Sequence, residues 1–209
     1  MICLIVRTPD LESGKNTLWN TEGRWSVTDD ALYSQFLAGD ISAFDALILK
    51  YSIRLVLYLN GLTRGMEDAE DLAIETFAAI LNKKPAIRPG NFRAYLYKAA
   101  RNRATRFHTL RSRLPVFSLD DQQLEEALAV RPEDDFLRDE KRQAVSRCLG
   151  RIDPEPREAL WLVYCEGLSY AEAAAILKVN EKKINNWLTK GKQQMKAELA
   201  KEGITDAEP

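Results

Sequence analysis

Two basic blocks, separated by an acidic one, are the residues of this chain that first point to a chemistry. Residues 178–201 carry seven lysines against two glutamates, and residues 120–140 carry nine acids against two arginines. Residues 86–113 contain no Asp or Glu at all, and their cations are Arg88, Arg93, Lys98, Arg101, Arg103, Arg106, Arg111 and Arg113. Because the net charge of the whole chain is only −1, this segregation indicates two anion-binding surfaces and an acidic linker.

The second basic block lies in a pattern typical of a helix-turn-helix. Ser169 and Glu172 predict a capping box that begins a short Ala-rich helix, and a tight connection at 178–180 leads to a second helix. Amides on the second helix can read base edges, while its lysines neutralise phosphates. Its outward residues are Lys182, Lys183, Asn185, Asn186, Thr189, Lys190 and Lys192. An ordinary helical hairpin with a solvated polar face has the same composition, so the pattern alone leaves both interpretations open.

Helical periodicity over most of the chain predicts an all-α fold of two small helical domains joined by an acidic linker. In the first domain we predict a helix closed by Gly61, a helix from Glu67 to Leu81, a Pro-containing loop at 82–91 and a helix from Phe92 to about Leu114. In the second domain we predict a helix that begins after Asp153 as N-cap and runs to Glu166. The predicted limits are 1–28 for an irregular leader, 29–114 for the first domain, 115–132 for the linker, 133–203 for the second domain and 204–209 for a tail.

The composition argues against several classes of protein. There is no apolar run of the roughly 18 residues that a membrane span needs, so we expect a cytoplasmic chain without membrane insertion. His108 is the only histidine, and the three cysteines are far apart, which predicts buried thiols at Cys148 and Cys165 rather than a zinc site. Without a Gly-rich phosphate loop or metal-ligand spacing, we expect no cofactor and no enzymatic activity. The acids from Asp68 to Glu75 fit the positive end of a helix dipole better than a metal site.

Four further segments stand in one order along the chain: Gly39-Asp40 with Ala43-Phe44 and Tyr51; Asp68–Leu72 with Glu75 and Phe77; Phe92–Asn102; and Asp153–Ala174. In this order and spacing they resemble the extracytoplasmic-function sigma factors of the sigma-70 family. They are similar, in turn, to that family's start of region two, core-binding helix, promoter-melting helix and start of region four. The resemblance implies a sigma factor, in which one helix-rich domain binds polymerase and opens DNA and a helix-turn-helix domain recognises the promoter upstream.

The resemblance also implies partners and site residues. Partners would be core RNA polymerase, through its β′ clamp and β flap, promoter DNA, and an anti-sigma factor. Core polymerase would contact Glu70, Asp71, Ile74, Glu75 and Ala78. The −10 element would contact Lys83, Lys84, Arg88, Asn91, Arg93, Tyr95, Tyr97, Lys98, Arg101, Asn102 and Arg103. The −35 element would contact Ser169 and Tyr170 together with the seven outward residues of the second helix.

Several residues depart from the family's pattern or admit two interpretations. Ile74 replaces a frequent Gln, Arg106 a frequent Asp, and Trp187, Gly191 and Gln193 typical arginines. We expect Gly191 to soften its helix and Trp187 to pack rather than contact the groove. Since Tyr95 and Tyr97 are two apart, only one can face a given side. A helix-turn-helix regulator that never joins polymerase is the alternative, but it leaves the first domain unexplained.

Overall fold

The computed structural model describes residues 27–63, 65–111, 145 and 147–203. The described residues fall into two compact units: those from 27 to 111 form the N-terminal unit, and those from 145 to 203 form the C-terminal unit. Every regular element in the described ranges is a helix, which confirms the all-α prediction. None of the described helices is both long and apolar enough to cross a membrane. The linker at 115–132, the tail and the leader as far as residue 26 lie outside the described residues, so the domain limits stay predictions.

The described part of the N-terminal unit contains helices α1 (Asp29–Leu37), α2 (Ile41–Thr63), α3 (Met66–Lys83) and α4 (Phe92–Arg111). The Thr28 hydroxyl caps α1 by accepting a hydrogen bond from the Ala31 amide. The prediction that Gly61 closes α2 is wrong, because the helix continues to Thr63. The Thr63 hydroxyl lies 3.0 Å from the carbonyl oxygens of both Leu59 and Gly65, so it bridges the end of α2 to the start of α3.

Aromatic side chains join the four helices in one core. The rings of Phe36 in α1 and Phe44 in α2 stack at 4.6 Å between centroids. In α4, the Tyr97 ring meets Tyr58 of α2 edge-on at 5.1 Å, and Phe92 lies 5.9 Å from Tyr51. Leu47, Leu55, Leu59, Ile80 and Leu96 fill the space between these rings and are fully buried.

The described part of the C-terminal unit contains a helical segment at 147–150, then α5 (Pro154–Leu160), α6 (Tyr170–Leu177) and α7 (Glu181–Lys201). The helix predicted to run to Glu166 is α-helical only to Leu160, and a π-helical turn follows over Trp161–Cys165. Both halves of the predicted capping box at Ser169 and Glu172 are present. Cys148 and Cys165 are buried thiols, as predicted.

Gly191 is a packing residue of α7. A Cβ added to it would lie 2.8 Å from Leu160 Cδ1 and 3.3 Å from Pro156 Cβ, so the missing side chain lets α5 approach α7 closely. The helix runs without interruption through this position. Close packing against α5 thus accounts for a glycine within this helix, and the softening expected from its poor helix propensity stays a prediction.

We predict that Gly191→Ala destabilises the C-terminal unit, whereas Gly61→Ala stabilises the N-terminal unit. At Gly61 an added Cβ meets nothing within 4 Å, so the substitution should contribute the helix propensity difference of about 1 kcal/mol. At Gly191 the same gain is opposed by overpacking against fully buried Leu160, which costs about 1–3 kcal/mol. Differential scanning calorimetry of the two variants should show melting temperatures that move in opposite directions. An increase for Gly191→Ala would contradict the packing role.

Candidate protein and nucleic-acid interfaces

The outer side of α3, which we call the α3 face, combines acids with an exposed apolar side chain. Its members are the five residues predicted to contact core polymerase, and all five are exposed: Glu70, Asp71, Ile74, Glu75 and Ala78. The opposite side of the helix is buried against the core through Ala69, Leu72, Ala73, Thr76, Phe77 and Ile80. Ile74 is 66% exposed and lies among the acids of this face. Within the described ranges, no group of three His, Cys, Asp or Glu side chains could hold a metal ion.

Helix α4 separates its apolar residues from its cations. Phe92, Leu96, Tyr97, Ala100 and Ala104 are buried, while Tyr95, Lys98 and Arg106 are exposed. Three further residues of the predicted −10 set are half-buried: Arg101, Asn102 and Arg103. The exposed edge of α4 therefore carries cations beside one aromatic ring, a combination suited to a phosphate backbone with unstacked bases.

The structure corrects the expectation for Tyr97. Its side chain has 0% exposure and packs edge-on against Tyr58, so it belongs to the core and cannot receive a base. Tyr95 is 36% exposed and is the ring that α4 presents outward. The two-residue spacing left this choice open in the sequence, and the packing of α4 on α2 decides it.

Arg93 contributes to the internal structure of the N-terminal unit. Its Nε lies 3.1 Å from the Tyr51 hydroxyl, and its Nη2 lies 3.8 Å from Asp29 Oδ2. Asp29 also accepts hydrogen bonds from Lys50 Nζ at 2.5 Å and from the Tyr51 hydroxyl at 2.6 Å. Burial, with a smaller contribution from Asp29, raises the pKa of Tyr51, so its hydroxyl stays protonated and donates to Asp29. Arg93 was predicted as a DNA contact, and we now assign it first to holding α4 against α1 and α2.

The end of α3 and the loop between α3 and α4 present further residues of the predicted −10 set. Lys83, Lys84 and Arg88 are exposed, and Asn91 directly precedes α4, with its carbonyl accepting the first helical hydrogen bond from Tyr95. Lys84 ends α3 in a left-handed conformation with φ of 42°. No signal in the sequence marks the residues of α1 that contact this loop, because acids at the start of a helix have a local explanation in the helix dipole.

Helix α7 buries one side and exposes the other as predicted from its periodicity. Ile184, Leu188, Gly191 and Met195 are buried. All seven residues predicted to face DNA are exposed: Lys182, Lys183, Asn185, Asn186, Thr189, Lys190 and Lys192. The Asn180 side chain caps the helix by accepting from the Lys183 amide at 2.8 Å. Amides and cations thus share the outer side of α7.

The two predicted −35 contacts at the start of α6 differ in their surroundings. The Ser169 hydroxyl accepts from the Glu172 amide at 3.2 Å and lies 2.6 Å from Glu172 Oε2. The Ser169 side chain therefore caps α6, and its contact with DNA stays a prediction. Tyr170, the next residue, is exposed and keeps a ring and a hydroxyl on the surface.

Three of the outward lysines of α7 have partners within the C-terminal unit. Lys190 Nζ lies 2.6 Å from Asp153 Oδ2, and this hydrogen bond lowers the pKa of the Asp153 carboxyl. The ammonium of Lys192 lies 4.7 Å above the ring of Tyr164, and that of Lys183 lies 5.4 Å above Trp187. Trp187 itself is half-buried, so it both packs and borders the outer side of α7.

Comparison with known proteins places both units in one family. The family model of sigma-70 region 2 matches residues 47–114, and that of sigma-70 region 4 matches residues 142–195. The RNA polymerase sigma-H factor of Pseudomonas aeruginosa is 30% identical over 164 residues, which cover 72% of this chain and 82% of the relative. The ECF RNA polymerase sigma factor BldN of Streptomyces coelicolor is 33% identical over 150 residues, or 69% of this chain. The chain spans only about half of BldN's length, 55%.

A solved structure supports the fold. The sigma factor RpoE of Bartonella quintana, in a co-crystal with the anti-sigma factor NepR, superposes with a TM-score of 0.57 at 22% identity. The match covers 75% of this chain and 96% of that one. Together with the two family models and the relative from Pseudomonas aeruginosa, these findings confirm the resemblance seen in the sequence, and the chain belongs to the extracytoplasmic-function group of the sigma-70 family of RNA polymerase sigma factors.

Proposed function

We propose that this chain is a specificity subunit of RNA polymerase, which binds the core enzyme and directs it to promoters where transcription begins. The observation that carries the proposal is the pair of unlike exposed faces within the N-terminal unit. The α3 face is acidic with Ile74 at its centre, whereas the edge of α4 is cationic with Tyr95 beside Lys98. A helix-turn-helix regulator that binds DNA alone needs neither face.

The α3 face suits a protein partner with a basic, partly apolar surface. Its acids Glu70, Asp71 and Glu75 would guide a cationic partner to it, and Ile74 would fill an apolar pocket there. The same residues in the family's order match the helix that docks on the β′ clamp of core polymerase. We propose the β′ clamp as the partner of the α3 face and the β flap as a partner of the C-terminal unit.

The edge of α4 and the adjoining loop suit the non-template strand of the −10 element. Exposed Lys98 and Arg88 would bind phosphates, and the exposed ring of Tyr95 would stack on an unpaired base. Strand separation follows if the open strand binds better than the duplex, since stacking contributes about 1–3 kcal/mol per base. Chemistry on the nucleotides belongs to the core enzyme, so we assign the chain no catalytic step of its own.

The outer side of α7 suits the major groove of the −35 element. Asn185 and Asn186 can each make two hydrogen bonds with an adenine edge, while Lys182 and Lys183 neutralise phosphates. The exposed Tyr170 at the start of α6 would contact the sugar-phosphate backbone.

An anti-sigma factor is the proposed regulator of the chain. The structural neighbour RpoE was solved as a complex with the anti-sigma factor NepR. Since this chain also exposes an apolar residue on its α3 face, a protein that covers it would keep the chain inactive until released. We propose that both proteins act in the cytoplasm, where core polymerase works.

Run-off transcription with purified core polymerase tests the proposal as a whole. The chain should enable specific initiation on genomic fragments, including the DNA upstream of its own reading frame. An experiment with the chain and core enzyme alone, at low ionic strength and free of any inhibitor, should also recover the two as a complex. Failure to associate there would favour the regulator that binds DNA without polymerase.

We predict that Ile74→Ala weakens binding to core polymerase by about 30-fold, the effect of losing a central apolar contact of about 2 kcal/mol. Ile53→Ala is the matched control, because Ile53 lies on α2 and is 54% exposed. Both truncations remove the same atoms from exposed positions, so neither should lower the melting temperature noticeably. Fluorescence titration with core enzyme measures the affinities, and equal losses for the two variants would contradict the docking role of the α3 face.

We predict that Asn186→Ala and Lys182→Ala affect −35 binding in different ways. Loss of the amide should relax the preference for one base pair by about 1–3 kcal/mol, because only the amide distinguishes base edges. Loss of the lysine should weaken all sequences alike. Competition binding of holoenzyme to a panel of single-base promoter variants separates the two effects. A uniform loss with Asn186→Ala would show that this side chain does not read a base.

We predict a steep salt dependence of promoter binding. If about six phosphates are neutralised by the two basic blocks, log affinity should fall against log salt concentration with a slope of about −5. Filter binding of the holoenzyme to one promoter between low and moderate salt gives this slope. A flat response would exclude the cationic surfaces as the source of affinity.

A further inference from the structure

One side of α1 contacts both ends of the loop that joins α3 to α4. The residues of α1 that do so are Asp30, Tyr33 and Phe36, which lie three residues apart along the helix and so share one side of it. The loop comprises residues 84–91 and connects the two helices that carry the proposed polymerase and DNA surfaces. Helix α1 thus lies beneath the segment that would meet the −10 strand.

Asp30 and Tyr33 make short hydrogen bonds to the loop backbone, and Phe36 contacts a lysine side chain. The Tyr33 hydroxyl donates to the Pro85 carbonyl at 2.7 Å. The Gly90 amide donates to Asp30, with both carboxylate oxygens at 2.7 Å from the nitrogen. At the first end of the loop, the Lys84 ammonium lies 5.0 Å above the ring of Phe36.

The loop backbone is shaped to make the contact with Asp30. Gly90 has a φ of +82°, a left-handed conformation that other residues rarely adopt. The Asn91 amide donates to the Arg88 carbonyl at 3.1 Å and closes a turn around Gly90. Within this turn the Gly90 amide donates to the carboxylate of Asp30. This bond fixes the end of the loop, just before α4, to α1.

The middle of the loop is largely exposed to solvent. Ala86, Arg88 and Pro89 are exposed, and Ile87 is half-buried. Burial, with a smaller contribution from nearby Tyr95, raises the pKa of Tyr33 to about 12, so its hydroxyl is protonated and can donate at any pH where transcription occurs. The loop is therefore held at Pro85 and Gly90, while most of its tip is exposed.

We propose that α1 acts as a clasp that sets the base preference of the loop tip, with Asp30 and Tyr33 as positioning residues that need not touch DNA. The inference rests on the proposed function, because it takes the loop to meet the −10 strand. A free loop could adjust to whichever base is present, whereas a loop fixed at both ends accepts the base that fits it. Preference would then depend on residues of α1 that lie 52 and 60 positions away from their loop partners.

The clasp can be opened without detaching α1 from the unit. Asp29 binds Lys50 and Tyr51 of α2, and the Phe36 ring stacks on Phe44. Neither contact involves the carboxylate of Asp30 or the hydroxyl of Tyr33. Asp30→Ala and Tyr33→Phe should therefore release the loop while α1 stays packed.

The test is transcription by holoenzyme, made from core polymerase and the full chain, on a promoter library randomised through the −10 element. Sequencing the transcripts gives the preference for each base at each position. We expect Asp30→Ala and Tyr33→Phe to reduce the preference at one or two positions by about fivefold or more, which is the lower end of what a well-read base contributes. Asp30→Asn, whose amide oxygen can still accept from Gly90, should restore part of it, and Gln35→Ala on the exposed side of α1 should change nothing.

The outcomes separate the inference from the proposed function. If wild-type holoenzyme selects no −10 sequence, the proposed function fails and the inference fails with it. If the wild type selects a sequence and both variants keep the same preference, the clasp is excluded while the proposed function stands. A loss of transcription that is equal for all library members would also exclude it, since it would show a purely structural role. If Asp30→Ala does not fold by circular dichroism, Tyr33→Phe decides, because it removes a single hydroxyl and keeps the ring that packs on Phe92.

Discussion

Burial of aromatic side chains allows a helix without a single acidic residue to pack stably in the N-terminal unit. Cations one turn apart on α4 repel each other, by about 0.2–0.5 kcal/mol per pair. On its inner side, Phe92 and Tyr97 pack against Tyr51 and Tyr58, and such ring pairs contribute about 0.5–1.5 kcal/mol each beyond the area they bury. Packing therefore outweighs repulsion, and the cations are left at the surface, where they can meet a polyanion.

The Asp29 carboxylate complements this packing at one end of α4. It binds Lys50 and Tyr51 on α2, and through them and directly it attracts Arg93. A partly buried acid is stable there because several donors replace its lost hydration. Arg93, one of the cations of residues 86–113, thus contributes to holding the N-terminal unit together. The neighbouring Asp30 bonds the loop backbone instead, so two adjacent acids hold two parts of the same candidate DNA surface.

The C-terminal unit balances close packing and exposed chemistry in a different way. Gly191 brings α7 against Leu160, which orients the outer side of α7 with its amides and lysines. Lys190 is paired with Asp153, and Lys192 with Tyr164. Because ion pairs at the surface contribute little to stability, these lysines can exchange an internal partner for a phosphate at small cost.

The sequence by itself determined what depends on neighbours a turn or two away. Helical periodicity predicted which residues of α7 are exposed, and the capping box at Ser169 follows from residues three apart. The sequence also showed the resemblance to the sigma-70 family, which the comparisons confirmed. Only the tertiary structure decided that Tyr95 rather than Tyr97 is exposed, that Arg93 bonds Tyr51, that Gly191 packs against α5 and that α1 binds the loop. These outcomes depend on pairs of residues that are distant in the chain, and no local preference distinguishes an acid that caps a helix from one that bonds a loop 60 residues away.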